Sequence, residues 1–373
     1  MNETPIIIEE RTAAGGHRIG VATLNAPRSL NALTLPMIER LRPQLEAWAE
    51  DPGIACVVLM GAGEKAFCAG GDVVSMYHAI RENPGGPVPF AERFFEQEYR
   101  LDYAIHTFPK PILVWGHGVV MGGGLGLLVG ASHRVVTEHA KVAMPEITIG
   151  LYPDVAGTWF LNRMPGRIGL FLGLTGARMN AADTLYTGLA DYLITADRRD
   201  AVLSALADIA WEDDPELNRG HLSVALRRFA DASRAARPAS NVLRHLDLID
   251  HVTDHHSVRG ILDALEGYAG EDDWVDAARA TLAAGSPTSA RVILEQYRRG
   301  RHLSLKEVFM RELNMSVRCV RGHDYPEGVR ALLVDKDRNP RWDPPSVEAV
   351  SDELVESFFL PAEGLEENPL RDL

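Results

Sequence analysis

The longest apolar segment of the chain, Ile112 to Ala131, does most to limit what the chain can become. Its length suits a membrane-spanning helix. It nevertheless carries His117 and repeated glycines, and it follows Lys110-Pro111. A buried strand running into a glycine-rich loop and an apolar helix accounts for those residues better. Two more β-branched runs support strands: Ile54-Ala-Cys-Val-Val-Leu-Met60, ending at Gly61-Ala-Gly63, and Arg134-Val-Val-Thr137. Between strands, Met37, Ile38, Leu41, Leu45 and Trp48 recur at helical spacing, opened by Thr34 with Pro36 in the first turn. Pro43 within that pattern predicts a kink.

Strand–helix alternation places residues 1–196 in an α/β core. Beyond residue 197 the strand signals stop. Ala201–Trp211, His256–Tyr268, Trp274–Ala284, Ser289–Arg299 and Leu305–Val317 read as helices, so 197–373 is expected to be a helical region packing on the core. Asp and Glu (52) outnumber Lys and Arg (38), a net charge of -14. Such a surface repels phosphate backbones, and no basic stripe offsets it, which argues against nucleic acid. Cys56, Cys68 and Cys319 are scattered and build neither a disulfide framework nor a metal knuckle. The start, MNETPIIIEERT, reads as neither a signal nor a transit peptide, so the expectation is a soluble, cytoplasmic protein away from membranes.

Three stretches can carry chemistry. In Lys65-Ala-Phe-Cys-Ala-Gly-Gly-Asp72, Gly70-Gly71 frees backbone N–H groups toward a ligand, or Asp72 simply caps the helix Val73–Arg81 after a tight turn. Gly61-Ala-Gly63-Glu-Lys-Ala66 matches G-x-G-x-x-A, but a second loop follows where a dinucleotide site needs a helix. In Val120-Met-Gly-Gly-Gly-Leu-Gly126, glycines opening an apolar helix present bare N–H groups at a positive dipole end, or they permit close helix–strand packing. In Met144-Pro-Glu146 and Gly150-Leu-Tyr-Pro-Asp154, turns separate two acids in a way that can aim both at one pocket. The alternatives are a solvated Glu146 and an Asp154 that caps the helix near Gly157. No Gly-x-Ser-x-Gly elbow occurs, and His251 with His255 lacks a third zinc ligand.

Taken in order, these stretches resemble the crotonase (enoyl-CoA hydratase/isomerase) superfamily. The residues are Leu24-Asn-Ala-Pro27 with Asn31-Ala-Leu33, Ala66-Phe-Cys-Ala-Gly-Gly-Asp72, His117-Gly118, Met121-Gly-Gly-Gly124 and Met144-Pro-Glu146. The 3-hydroxyisobutyryl-CoA hydrolase branch is resembled more closely still. There the likeness adds Glu98-Tyr99, Tyr152-Pro-Asp154-Val155, Ser286-Pro-Thr-Ser289, Arg321-Gly-His-Asp324, Glu327-Gly-Val-Arg330 and Asp335-Lys-Asp337.

The resemblance implies an α/β fold of repeated ββα units with a helical C-terminal region. It implies acyl-CoA thioester substrates, coenzyme A being part of the substrate rather than a cofactor, and no metal. Gly71 and Gly123 fall on its oxyanion-hole positions, Glu146 and Asp154 on its catalytic acids, and Glu98 on a substrate-contacting acid. Hydratases of the family use a second glutamate three residues after the second oxyanion glycine. That position is Gly126 here, which speaks against two-glutamate hydration. Lys65 and Arg28 are candidates for the CoA phosphates. Where the branch has a glycine-rich run after Pro-Asp-Val, this chain reads Ala156-Gly157-Thr158-Trp159, a departure that bears on the acyl group. The expected activity is therefore hydrolysis of a short 3-hydroxyacyl-CoA, 3-hydroxyisobutyryl-CoA of valine catabolism above all. The alternatives are an enoyl-CoA hydratase or isomerase working through Glu146, and a non-catalytic CoA-ester binder. Family members often self-associate, so a homo-oligomer is one expectation; a longer helical C-terminus that covers that interface is the alternative.

Overall fold

A computed structural model describes residues 4–373. Its chain divides into two compact units, each discontinuous in sequence. The first comprises residues 1–71, 100–142 and 179–243, and the second residues 72–99, 143–178 and 244–373. Residues 197–243 therefore cluster with the sheet.

The first unit is built on a six-stranded sheet of β1 (Ile6–Thr12), β2 (Arg18–Leu24), β3 (Ile54–Gly61), β5 (Ile112–Gly116), β7 (His133–Val136) and β9 (Tyr192–Leu193), in that spatial order. The first pair is antiparallel and the rest are parallel. β3 is buried along its whole length, as the unbroken apolar run requires. Ile19, Val21, Cys56, Val58, Leu113, Trp115 and Val135 lie on one face of the pleat. They pack against Val202, Leu206, Leu222 and Leu226 from the helices Arg199–Ala207 and Pro215–Ala232. A small second sheet joins β4 (Ala66–Cys68), β6 (Val119–Met121) and β8 (Lys141–Ala143). The helix Leu35–Glu50 is capped by Thr34 as expected, and it runs unbroken through Pro43. Buried Met37, Leu41, Leu45 and Trp48 hold that helix down, so packing outweighs the hydrogen bond lost at the proline. Among the described residues no helix is long and apolar enough to cross a membrane.

The second unit is mostly helical, and polar residues within 286–289, 321–324 and 327–337 tie it together. Ser286 caps the helix Pro287–Gly300 through the Ser289 N–H and donates its hydroxyl to Asp324 at 2.6 Å. Asp324 also accepts the Asp343 N–H. Arg330 bonds Glu327, Asp335 and Asp337 together. These polar residues thus act as internal ties, each acid matched to a donor.

Candidate active site

In the first unit the two glycine loops meet. Gly70 adopts a φ of +114°, a conformation that favours glycine. A methyl group there would lie 3.4 Å from the Met121 carbonyl and 3.9 Å from the Gly123 nitrogen. The next residue, Gly71, forms a bridge with Leu33. The second loop turns at Gly122 (φ +50°) and starts the buried helix Gly123–Val129, so the Gly123 N–H has no carbonyl one turn earlier to bond. Gly124 sits so close to β4 that a Cβ would stand 2.2 Å from the Cys68 carbonyl oxygen. The close-packing reading of this run holds at Gly124, while Gly123 lies in the first turn of the helix. Gly126 lies inside the helix, buried and without a carboxylate. Arg28 and Lys65 are exposed on loops of this unit, Arg28 in the turn Pro27–Ser29. All three cysteines are buried thiols.

In the second unit four acids lie buried near one another. Glu98, on the helix Pro89–His106, is 2% exposed, and Glu146 and Asp154 are each 4% exposed. Glu146 opens the short 3₁₀ turn Glu146–Ile149. Gly150 (φ +70°) ends that turn, where a side chain would meet the Asp324 carbonyl at 2.3 Å. Glu146 is therefore neither solvated nor on a free loop. Asp154 caps no helix with its side chain. Its carboxylate accepts the Tyr99 hydroxyl at 2.7 Å, while its main-chain carbonyl accepts the Gly157 N–H at 2.6 Å. Ser316 lies 2.6 Å from the Tyr99 hydroxyl and 2.8 Å from that of Tyr152. Tyr152 donates to the Glu312 main-chain carbonyl.

Burial, with the Asp154 charge nearby, pushes Glu98 and Glu146 well above the usual carboxylate range. Asp154 is raised by burial too, with the Tyr99 hydrogen bond pulling the other way. Glu312 is raised to about 8, mainly by burial. Buried acids with raised affinity for the proton are suited to proton transfer at neutral pH. One oxygen each of Glu98 and Glu146 is buried without a hydrogen-bond partner among the described residues. Such groups normally find partners, and an exception marks a place where substrate or water completes the set.

Sequence reading pointed to Glu98, Glu146, Asp154 and both glycine loops. It missed Tyr99 as an Asp154 ligand, and it missed Ser316 and Glu312 altogether. The spacing of Glu312 and Ser316, four apart on the helix Leu305–Arg321, puts both on one face, but nothing local distinguishes that face from a structural one.

Comparison with known proteins identifies the family. A family model described as enoyl-CoA hydratase/isomerase matches residues 19–359. A chicken (Gallus gallus) protein named 3-hydroxyisobutyryl-CoA hydrolase, mitochondrial, is 39% identical over 92% of this chain and 86% of its own length. The Arabidopsis thaliana protein named 3-hydroxyisobutyryl-CoA hydrolase 1 is 36% identical over 96% of this chain and 92% of its own. Among solved structures, one titled as a carnitinyl-CoA dehydratase from Mycobacterium thermoresistibile superposes with a TM-score of 0.84 at 35% identity. It covers 97% of this chain and 98% of that one. The chain belongs to the enoyl-CoA hydratase/isomerase family and has its crotonase-type fold with a helical C-terminal region.

Proposed function

We propose that this protein hydrolyses the thioester of a short 3-hydroxyacyl-CoA, with 3-hydroxyisobutyryl-CoA as the first substrate to try. The observation that carries this reading is the pairing of a glycine at 126 with a buried Glu98–Glu146–Asp154 set. The second acid of a two-glutamate hydratase is missing, while the acids matching the hydrolase branch are present. The relatives' names point the same way.

In this reading the N–H groups of Gly71 and Gly123 hold the thioester carbonyl oxygen as it gains negative charge, a contribution of about 10²–10³ in rate for one good donor. Glu146, with its unpartnered oxygen, attacks the carbonyl carbon, or removes a proton from the water that does. The C–S bond then breaks and coenzyme A leaves as thiolate. On the first route water cleaves the resulting acyl–Glu146 anhydride, regenerating the carboxylate. Asp154 takes up and returns the proton, and Glu98 accepts the substrate 3-hydroxyl. Lys65 and Arg28 are assigned to the CoA phosphates. The step uses no metal and no cofactor, the thiolate being a competent leaving group. A cytoplasmic location and a homo-oligomer are further parts of the proposal. The chicken relative's name places that protein in mitochondria instead. Fractionation and light scattering test these two points.

The deciding experiment incubates purified protein with 3-hydroxyisobutyryl-CoA and reads released thiol, beside crotonyl-CoA followed for loss of its enoyl absorbance. Thiol release abolished in Glu146→Ala, with CoA-ester binding retained, supports the hydrolase. Crotonyl-CoA consumption without thiol release supports the second reading, a hydratase working through Glu146 alone, which the dehydratase title of the solved relative favours.

A further inference from the structure

The segment that carries Asp154 is strained, and one buried carboxylate holds it. Val155 and Ala156 both adopt positive φ, 49° and 70°, although neither is glycine and the first is β-branched. Such a residue is strained and persists only where its surroundings enforce it. The enforcing group is Glu312. Its two oxygens accept the Ala156 N–H at 2.8 Å and the Thr158 N–H at 2.9 Å, one on each. Glu312 is fully buried, and, unlike Glu98 and Glu146, neither of its oxygens lacks a partner. Gln296 supports the same turn from the helix Pro287–Gly300, donating to the Pro153 carbonyl at 2.6 Å and to the Thr158 hydroxyl at 2.8 Å. One helical turn beyond Glu312, Ser316 bonds Tyr99, whose hydroxyl bonds Asp154.

A buried acid with the Asp154 charge nearby is expensive to keep. An apolar residue at 312 would fill the same space without that cost, but it would leave two backbone N–H groups unbonded. The double acceptance therefore points to a role in fixing the turn rather than in packing. We propose that Glu312 is a positioning residue. It clamps the left-handed Val155–Ala156 turn and so sets where the Asp154 carboxylate points, while Ser316 on the same helix face fixes the Tyr99 hydroxyl that holds it. The inference rests on the hydrolase reading only in giving Asp154 a part in turnover.

The test is Glu312→Gln, which keeps the volume but offers one acceptor oxygen and an NH₂ that opposes the second backbone N–H. Turnover should fall about tenfold to a hundredfold, the scale of a misplaced catalytic group, with KM within threefold of wild type. Ala156→Gly added to Glu312→Gln should restore turnover at least threefold, because glycine holds φ +70° without the clamp. Ser304→Ala removes the N-terminal cap of the same helix, bonded to Glu307, and serves as the structural control. It should lower the thermal midpoint and leave the Glu312 pattern absent. Turnover within twofold of wild type in Glu312→Gln overturns the proposal, as does equal loss in the Ser304 variant or no restoration by Ala156→Gly. If the wild-type chain releases no thiol, it is the hydrolase reading that fails. Crystals of Glu312→Gln then decide: a 155–156 turn that leaves the left-handed region upholds the clamp, and an unchanged turn overturns it.

Discussion

Two helices, one in each unit, carry candidate functional groups in opposite ways. Gly123–Val129 acts through what it lacks. Without side chains at its start, it lies against β4 and leaves backbone N–H groups bare. Leu305–Arg321 acts through what it carries, since Glu312 binds backbone N–H groups of the Asp154 turn and Ser316 bonds two tyrosines. A donor for a developing oxyanion must be fixed and neutral, which backbone supplies. A proton-handling acid needs an affinity tuned by surroundings, which burial and neighbouring acids supply. The first region should therefore fail when atoms are added, and the second when atoms are removed.

The largest effect is expected at Glu146. Glu146→Gln should lower thiol release by about 10³-fold or more, read under saturating substrate, while CoA-ester affinity in calorimetry stays close to wild type. The same variant should be more stable than wild type, and increasingly so as pH rises. Burial raises the Glu146 pKa in the folded chain. Its contribution to stability is thus present below the unfolded carboxylate value and is lost as pH climbs through the folded one. Urea midpoints at pH 5 and pH 8 check the sign, and a gap that narrows at pH 8 would contradict the burial of this acid. Next comes Gly124→Ala, which sets a methyl carbon 2.2 Å from the Cys68 carbonyl. Backbone cannot yield there as a side chain would, so a loss of about 3 kcal/mol or insoluble protein is expected. A midpoint within about 1 kcal/mol of wild type would mean that the helix slides freely on β4.

A smaller effect probes the carboxylate side alone. Tyr99→Phe removes the hydroxyl that lowers the Asp154 pKa against its burial. The acid limb of the kcat/KM profile that reports Asp154 should move to higher pH, with turnover down about tenfold, the value of one hydrogen bond to a charged group. A limb that moves to lower pH would show that the hydroxyl does not stabilise the carboxylate.

How much of this was readable in advance follows the same division. The glycine loops were legible because Gly70-Gly71 and Gly122-Gly123-Gly124 are local: a positive φ and a close approach each demand glycine wherever the rest of the chain lies. Glu146 and Asp154 were legible as acids between turns, but their burial was not, since it depends on residues far along the chain. Tyr99 reaches Asp154 across 55 positions and Ser316 across 217. Glu312 was invisible for a further reason. On an amphipathic helix a lone Glu reads as solvated, and only the Ala156 and Thr158 N–H groups, brought in by tertiary packing, give it a purpose. The strands β1 and β2 escaped too: the alternation in Ile6–Thr12 is weak, and its partner Arg18–Leu24 includes Gly20, which admits the Trp48 ring at 2.7 Å from an added Cβ. Pro43 shows the reverse case, a strong local signal overruled by five buried side chains.

Ala156 offers the finest test of the contrast, because there the second region has the local problem that glycine solves in the first. Its φ of +70° costs an L-residue about 1–2 kcal/mol. Its fully buried methyl group returns about 0.8 kcal/mol. The strain is the larger of the two, so Ala156→Gly alone should raise the urea-unfolding free energy by less than about 1 kcal/mol. If the variant instead loses more than about 1 kcal/mol, the methyl packing decides the turn, and the alanine is there to fill space. A small gain would mean that the chain tolerates strain at this point because the Glu312 clamp, rather than the residue's own preference, holds the turn that follows Asp154.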